Sequence, residues 1–115
     1  MSENVILEKS KSLAVRMVKL YKYLREEKQE YVLSNQVLRS GTSIGANVRE
    51  AVQGQSRKDF LAKLSIALKE AVETEYWLEL LYETDYLTKA EFESVYEATG
   101  EVARLLTAIV KTLRD

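Results

Sequence analysis

Apolar residues recur along this chain at intervals of three and four, and no stretch alternates apolar with polar positions as a half-buried strand would. In the first segment Leu13, Met17, Leu20 and Leu24 form a stripe that Ile6 and Tyr21 extend, until the charged run REEKQE at 25–30 breaks it. A second segment follows from about Val32, with Ile44, Val48 and Ala51 at the i, i+4, i+7 spacing of a buried face. Gly54 stands where a left-handed residue would end that helix. Ser56 with Asp59 resembles a capping box and opens a third stripe, Phe60, Leu64, Ala67, Ala71, Leu78 and Leu81. Thr88 with Glu91 is a full capping box before the fourth stripe, Val95, Val102, Leu106, Ile109 and Leu113. The expected elements are helices at about 4–26, 32–53, 57–83 and 89–113. Their links are short, which makes consecutive helices antiparallel neighbours. The expected fold is therefore all-α, an up-down-up-down four-helix bundle occupying residues 1–115 as one domain.

The second helix breaks its own pattern. Ser40, Ser43, Asn47 and Glu50 lie on or beside the buried stripe, and Gly41 and Gly45 each cost up to ~1 kcal/mol of helix propensity against alanine. Small residues on an inward face let another backbone come close, and buried polar groups demand partners. Across the bundle, Lys69, Glu70 and Glu73 of the third helix can meet this face. Two readings stand: a ligand pocket around Asn47, Glu50 and Glu73 for a small molecule or peptide, or a buried hydrogen-bond network that fixes helix register.

Composition narrows the chemistry. The chain has no histidine and no cysteine, which removes the usual zinc and iron ligands, the usual general base near neutral pH and any thiolate nucleophile. A ferritin-like di-iron site needs Glu-x-x-His on two helices and cannot be built. A metal-dependent hydrolase using Glu50, Glu70 and Glu73 ranks last, so the expectation is no enzyme, no cofactor and no metal. With no proline, nothing forbids long helices. No apolar run is long enough to span a membrane, and MSENVILEKSKS does not read as a signal peptide, so a cytoplasmic protein is expected.

Net charge is −1, but its distribution is uneven. Lys9, Lys11, Arg16, Lys19, Lys22 and Arg25 occupy a stretch without acids, whereas ten acids from Glu70 to Glu101 are opposed only by Lys89. Such a chain folds its charges against each other or presents two faces of opposite sign. Lys11, Lys22 and Arg25, with Lys19 close by, share one side of the first helix and are the candidate RNA contacts, Tyr21 and Tyr23 adding rings that can stack on bases. Tyr76, Trp77, Tyr82 and Tyr86 are candidate interface residues, since four large aromatics in eleven positions exceed what a core needs.

The segments LRSGTSIGANVREA at 38–51 and SRKDFLAKLSIALKEAVETEYWLELL at 56–81 resemble the four-helix-bundle proteins encoded within intervening sequences of 23S ribosomal RNA genes. The resemblance rests on Ser43, Ile44, Asn47 and Glu50, and on Lys69-Glu70 followed by Glu73-Thr74-Glu75-Tyr76-Trp77. It covers both central helices, and the outer ones agree in length and placement. The family is similar to the accessory protein of diversity-generating retroelements, a pentameric barrel that binds nucleic acid beside a reverse transcriptase. That likeness implies a homo-oligomer, a pentamer by analogy, and RNA or a nucleic-acid enzyme as partner. The retroelement protein is strongly basic, however, and this chain is slightly acidic.

Overall fold

A computed structural model describes residues 2–115, with side chains from Val5 onward. Four helices follow one another: α1 Ser2–Glu26, α2 Leu33–Val52, α3 Arg57–Glu83 and α4 Lys89–Arg114. They form an up-down-up-down bundle of 44 × 20 × 20 Å. α2 packs closely on both α1 and α3, α3 packs on α4, and α1 meets α4 most sparsely, so the bundle is least closed along that last seam.

Each predicted stripe supplies the core. Leu13, Met17 and Leu24 of α1 pack with Val37, Ile44 and Val48 of α2, with Leu64, Leu78 and Leu81 of α3, and with Val102 and Leu106 of α4, all essentially free of solvent. Fully burying such a side chain contributes ~1.5–3 kcal/mol, and this repeated burial holds the helices together.

The glycines that weaken α2 in isolation are explained by α1. A Cβ on Gly41 would lie 2.3 Å from Cγ of the buried Met17, and one on Gly45 would lie 3.1 Å from the backbone oxygen of Ser10. Both positions sit directly under α1, and the missing side chains set how close the two helices come.

The ends differ in part from expectation. Thr88 and Glu91 form the full capping box, at 3.2 and 2.8 Å. Ser56 accepts from the Asp59 amide at 3.1 Å, which is half a box, since the shorter aspartate makes no return bond. α2 has no side-chain cap at Val32. Instead the buried Glu30 carboxylate accepts from the amides of Val32, Leu33 and Ser34 at 3.2, 2.9 and 2.6 Å, and Ser34 Oγ donates back to the Glu30 carbonyl. Gly54 is not left-handed: α2 ends with the Gln53 amide on Arg49 and the Gly54 amide on Ala51. Among the described residues the left-handed ones are Gln29, with φ 50°, and Asp85, with φ 69°, each at a turn.

Candidate functional site

The polar residues of α2 separate into three settings. Ser40 is fully buried, and its Oγ lies 2.8 Å from Thr74 Oγ1, which also donates to the Glu70 carbonyl. This hydroxyl pair is the buried polar link between α2 and α3. Asn47 does not cross to α3. Its Nδ2 donates within α2, to Ser43 O and Ser43 Oγ at 2.9 and 3.0 Å. Glu50 is exposed and pairs with Lys63 at 2.8 Å, and Lys69 is exposed as well. The expected buried network of Ser40, Ser43, Asn47, Glu50, Lys69, Glu70 and Glu73 is therefore corrected to one hydroxyl pair. A short Asn is satisfied by its own preceding turn, and the longer charged chains reach solvent instead of desolvating.

Glu70 and Glu73 belong to a surface cluster built on Arg39. The guanidinium donates to Glu70 at 3.2 Å and also to Glu73 Oε2, which accepts from Trp77 Nε1 at 3.0 Å. Arg39 is half-exposed, so the cluster orders side chains on the α2–α3 seam more than it stabilises the fold. Arg39 escaped the sequence reading because nothing local pairs it with residues more than thirty positions away. Thr74 left a legible signal, a polar residue on the stripe between Ala71 and Leu78.

Among the described residues, none of the main grooves unites Asn47, Glu50 and Glu73. A groove of about 460 Å³ between α1 and α2 is lined by Lys11, Thr42, Gly45, Arg49, Glu50 and Gln53, and excludes the other two. A second groove of about 340 Å³ follows the loose α1–α4 seam between Leu20, Tyr23, Leu87 and Val95, with Arg16 and Lys19 at its rim. Among the described residues no group of three or more acids is placed to hold a metal ion, and no helix is long and apolar enough to cross a membrane.

The basic stretch of α1 divides. Lys9 pairs with Glu101 at 3.0 Å, and Arg16 donates to the carbonyl and hydroxyl of Ser94 at 3.2 and 2.8 Å, so both bind α1 to α4. Lys11, Lys19 and Lys22 stay exposed with no ion-pair partner among the described residues. Arg25 lies over the rings of Tyr21 and Tyr31, at 5.2 and 4.9 Å.

Of the four candidate interface aromatics, Tyr76 alone is exposed. Trp77 is half-buried against Tyr76, Tyr82 stacks on Phe92 at 4.5 Å, and Tyr86 packs on the core. Tyr82 faces α4 from the last turn of α3, and Tyr86 in the following turn folds back onto the core, which the sequence stripe does not reveal. Other large apolar side chains are exposed instead: Val5, Val15 and Val18 on α1, Ile66 and Val72 on α3, and Tyr31 and Val32 at the first turn.

Between α3 and α4, Tyr96 donates to Glu79 at 2.7 Å, and this bond with burial pushes the phenol up to about 12. Burial, reinforced by repulsion from Glu79, raises Glu75 against the opposing pull of Arg104. The backbone bond from Thr88 holds Glu91 below the ordinary carboxylate value.

The model of the 23S rRNA-intervening sequence protein family matches residues 2–108. A crystal structure of a protein with unknown function from the S23 ribosomal protein family of Bacteroides thetaiotaomicron VPI-5482 superimposes with a TM-score of 0.95. It shares 58% sequence identity, over 96% of this chain and 99% of that one. No curated protein matches.

Proposed function

This chain belongs to the 23S rRNA-intervening sequence protein family, and we propose that it acts as a self-assembling, non-enzymatic scaffold. The observation that carries this reading is the set of large apolar side chains left in solvent on α1 and α3. Val15, Val72 and Tyr76 are 47%, 56% and 54% exposed in a bundle whose core is otherwise closed. On α3, Ile66, Val72 and Tyr76 point away from α2 and α4 and share that outer face with Lys69 and Glu83. Large apolar side chains grouped on an outer face among charges mark a contact surface. The assembly is a closed ring of copies held by heterologous contacts, five by the likeness described above. Size-exclusion with light scattering tests it. A mass several times that of the chain, falling as the protein is diluted or salted, is expected. A concentration-independent monomer at low salt overturns it.

A second reading, contact with RNA or with the acidic face of a nucleic-acid enzyme, is favoured by the unpaired lysines of α1. Lys11 and Arg49 line one groove, and Lys22 and Arg25 lie further along the same helix. Phosphate binding there would be weakly sequence-specific and would fall steeply with salt, because counterion release dominates. The acids of α3 and α4 repel a phosphate backbone, so only the α1 side can serve. Filter binding of single-stranded and structured RNA at two salt concentrations, beside a Lys11/Lys22/Arg25 triple alanine variant, is the test. No retention at low salt, or equal retention by the variant, overturns this reading.

A further inference from the structure

The exposed faces of α1 and α3 carry matching residues in matching order. On α1, Val5, Glu8, Val15 and Lys22 fall at the three- and seven-residue steps of a narrow heptad stripe, and all are exposed. On α3, Ile66, Lys69, Tyr76 and Glu83 repeat those steps on the outer face, also exposed. A single offset between the two helices sets Val5 against Ile66, Glu8 against Lys69, Val15 against Tyr76 and Lys22 against Glu83. Of the intervening stripe positions, Ser12 falls against Glu73, and Lys19 against Leu80 with Glu83 one turn on; these two pairs add no complementarity. The four exposed pairs are each apolar with apolar or opposite in charge. With the helices reversed about Val15 and Tyr76, Lys22 meets Lys69 and Glu8 meets Glu83.

α3 gives a second, independent reason. Arg57, Lys58, Lys63 and Lys69 occupy its first half with one acid, Asp59, in the first turn, and Glu70, Glu73, Glu75, Glu79 and Glu83 its second, with no basic residue in the last turn. The helix's own dipole disfavours this order, most clearly at the C-terminal end. Neighbouring helices offset part of it, through Glu50 on Lys63 and Arg39 on Glu70 and Glu73. Lys69 and Glu83 have no ion-pair partner among the described residues.

We propose that the outer face of α3 docks the outer face of α1 from a second copy of this chain, in parallel and in this register. The proposal rests on the self-assembly reading and deepens it by naming the contact. In an up-down-up-down bundle α1 and α3 run the same way. Rotation about an axis along the bundle therefore brings α1 of one copy beside α3 of the next in parallel, as a ring requires, whereas a perpendicular two-fold would set them antiparallel. The contact engages Lys19 and Lys22, so an anionic ligand on the same side of α1 would compete with it for these lysines.

Because the chain has no cysteine, introduced pairs report the register directly. The backbones of α1 and α3 stay apart within one bundle 20 Å across and their outer faces point away from each other, so any disulfide between those faces joins two chains. Glu8→Cys with Lys69→Cys should oxidise to a covalent ladder, while Glu8→Cys with Glu83→Cys should stay monomeric on a non-reducing gel. Positions 69 and 83 are roughly 21 Å apart along the helix, so one register cannot link both pairs, given the roughly 7 Å Cα limit of a disulfide. Lys69→Glu alone should lower the assembled mass at low salt, and adding Glu8→Lys should restore it. A ladder from the Glu83 pair overturns the parallel register. An assembled parent in which neither pair links overturns this contact while self-assembly stands. A parent that is monomeric in light scattering overturns both.

Discussion

Replacing Gly41 by alanine sets two effects of known size against each other. In a helix interior the substitution gains up to ~1 kcal/mol of propensity. Against this, the new Cβ would stand 2.3 Å from Met17 Cγ, 2.7 Å from its Sδ and 3.0 Å from its Cβ. Met17 has no exposed surface into which to swing, so α1 and α2 must part or Met17 must leave its rotamer. Overpacking of this kind costs ~1–3 kcal/mol, and contacts of 2.3 and 2.7 Å against a fully buried side chain put this site in the upper part of that range, at ~2–3 kcal/mol. The net expectation is a loss of about 1–2 kcal/mol, or a fall in Tm of roughly 4–8 °C for a chain of this size. Gly100→Ala is the internal control. Its Cβ would meet the far end of Arg104, at 3.1 Å, an exposed side chain held by a surface pair with Glu97 that costs little to shift. The same propensity gain should then raise stability by up to ~1 kcal/mol. Urea titrations at one fixed protein concentration read both, since assembly makes apparent stability depend on concentration. Pairing Gly41→Ala with Met17→Ala should cost less than the two single changes together, because the clash disappears with the side chain. Gly41→Ala as stable as the parent would refute the claim that close approach of α1 selects this glycine.

Thr74→Val leaves the buried Ser40 hydroxyl without its partner and should cost ~1–3 kcal/mol, whereas Ser40→Ala with Thr74→Val together should recover part of that loss; chemical denaturation of the three variants decides it. Glu30→Ala uncaps three amides of α2 at once and should destabilise by about 1–2 kcal/mol, with amide exchange rising first at residues 32–34. Tyr96 titrates near 10 when unfolded and about 12 when folded. Its contribution is thus fully present below pH 10 and is lost as pH rises through 12. Denaturation midpoints measured across that window should fall less steeply for Tyr96→Phe than for the parent.

Sequence alone settled the helices, their number and their antiparallel order, because three- and four-residue periodicity and the Thr88 and Ser56 caps are local signals that neighbours only reinforce. It also removed sites built on histidine or cysteine, since the chain has neither residue. Tertiary structure decided which polar residues are buried. A helical wheel places Ser40 and Asn47 on nearly the same face, but only packing against α3 distinguishes the hydroxyl that meets Thr74 from the amide that bonds its own helix. Glu50 and Lys63 find each other across a turn, and Arg39 finds Glu70 and Glu73 across a helix pair, by proximities that no local pattern encodes. The glycines show the division most plainly: in sequence Gly41 and Gly45 are flaws in a helix, and only with α1 laid across them do they become the reason two backbones can approach so closely.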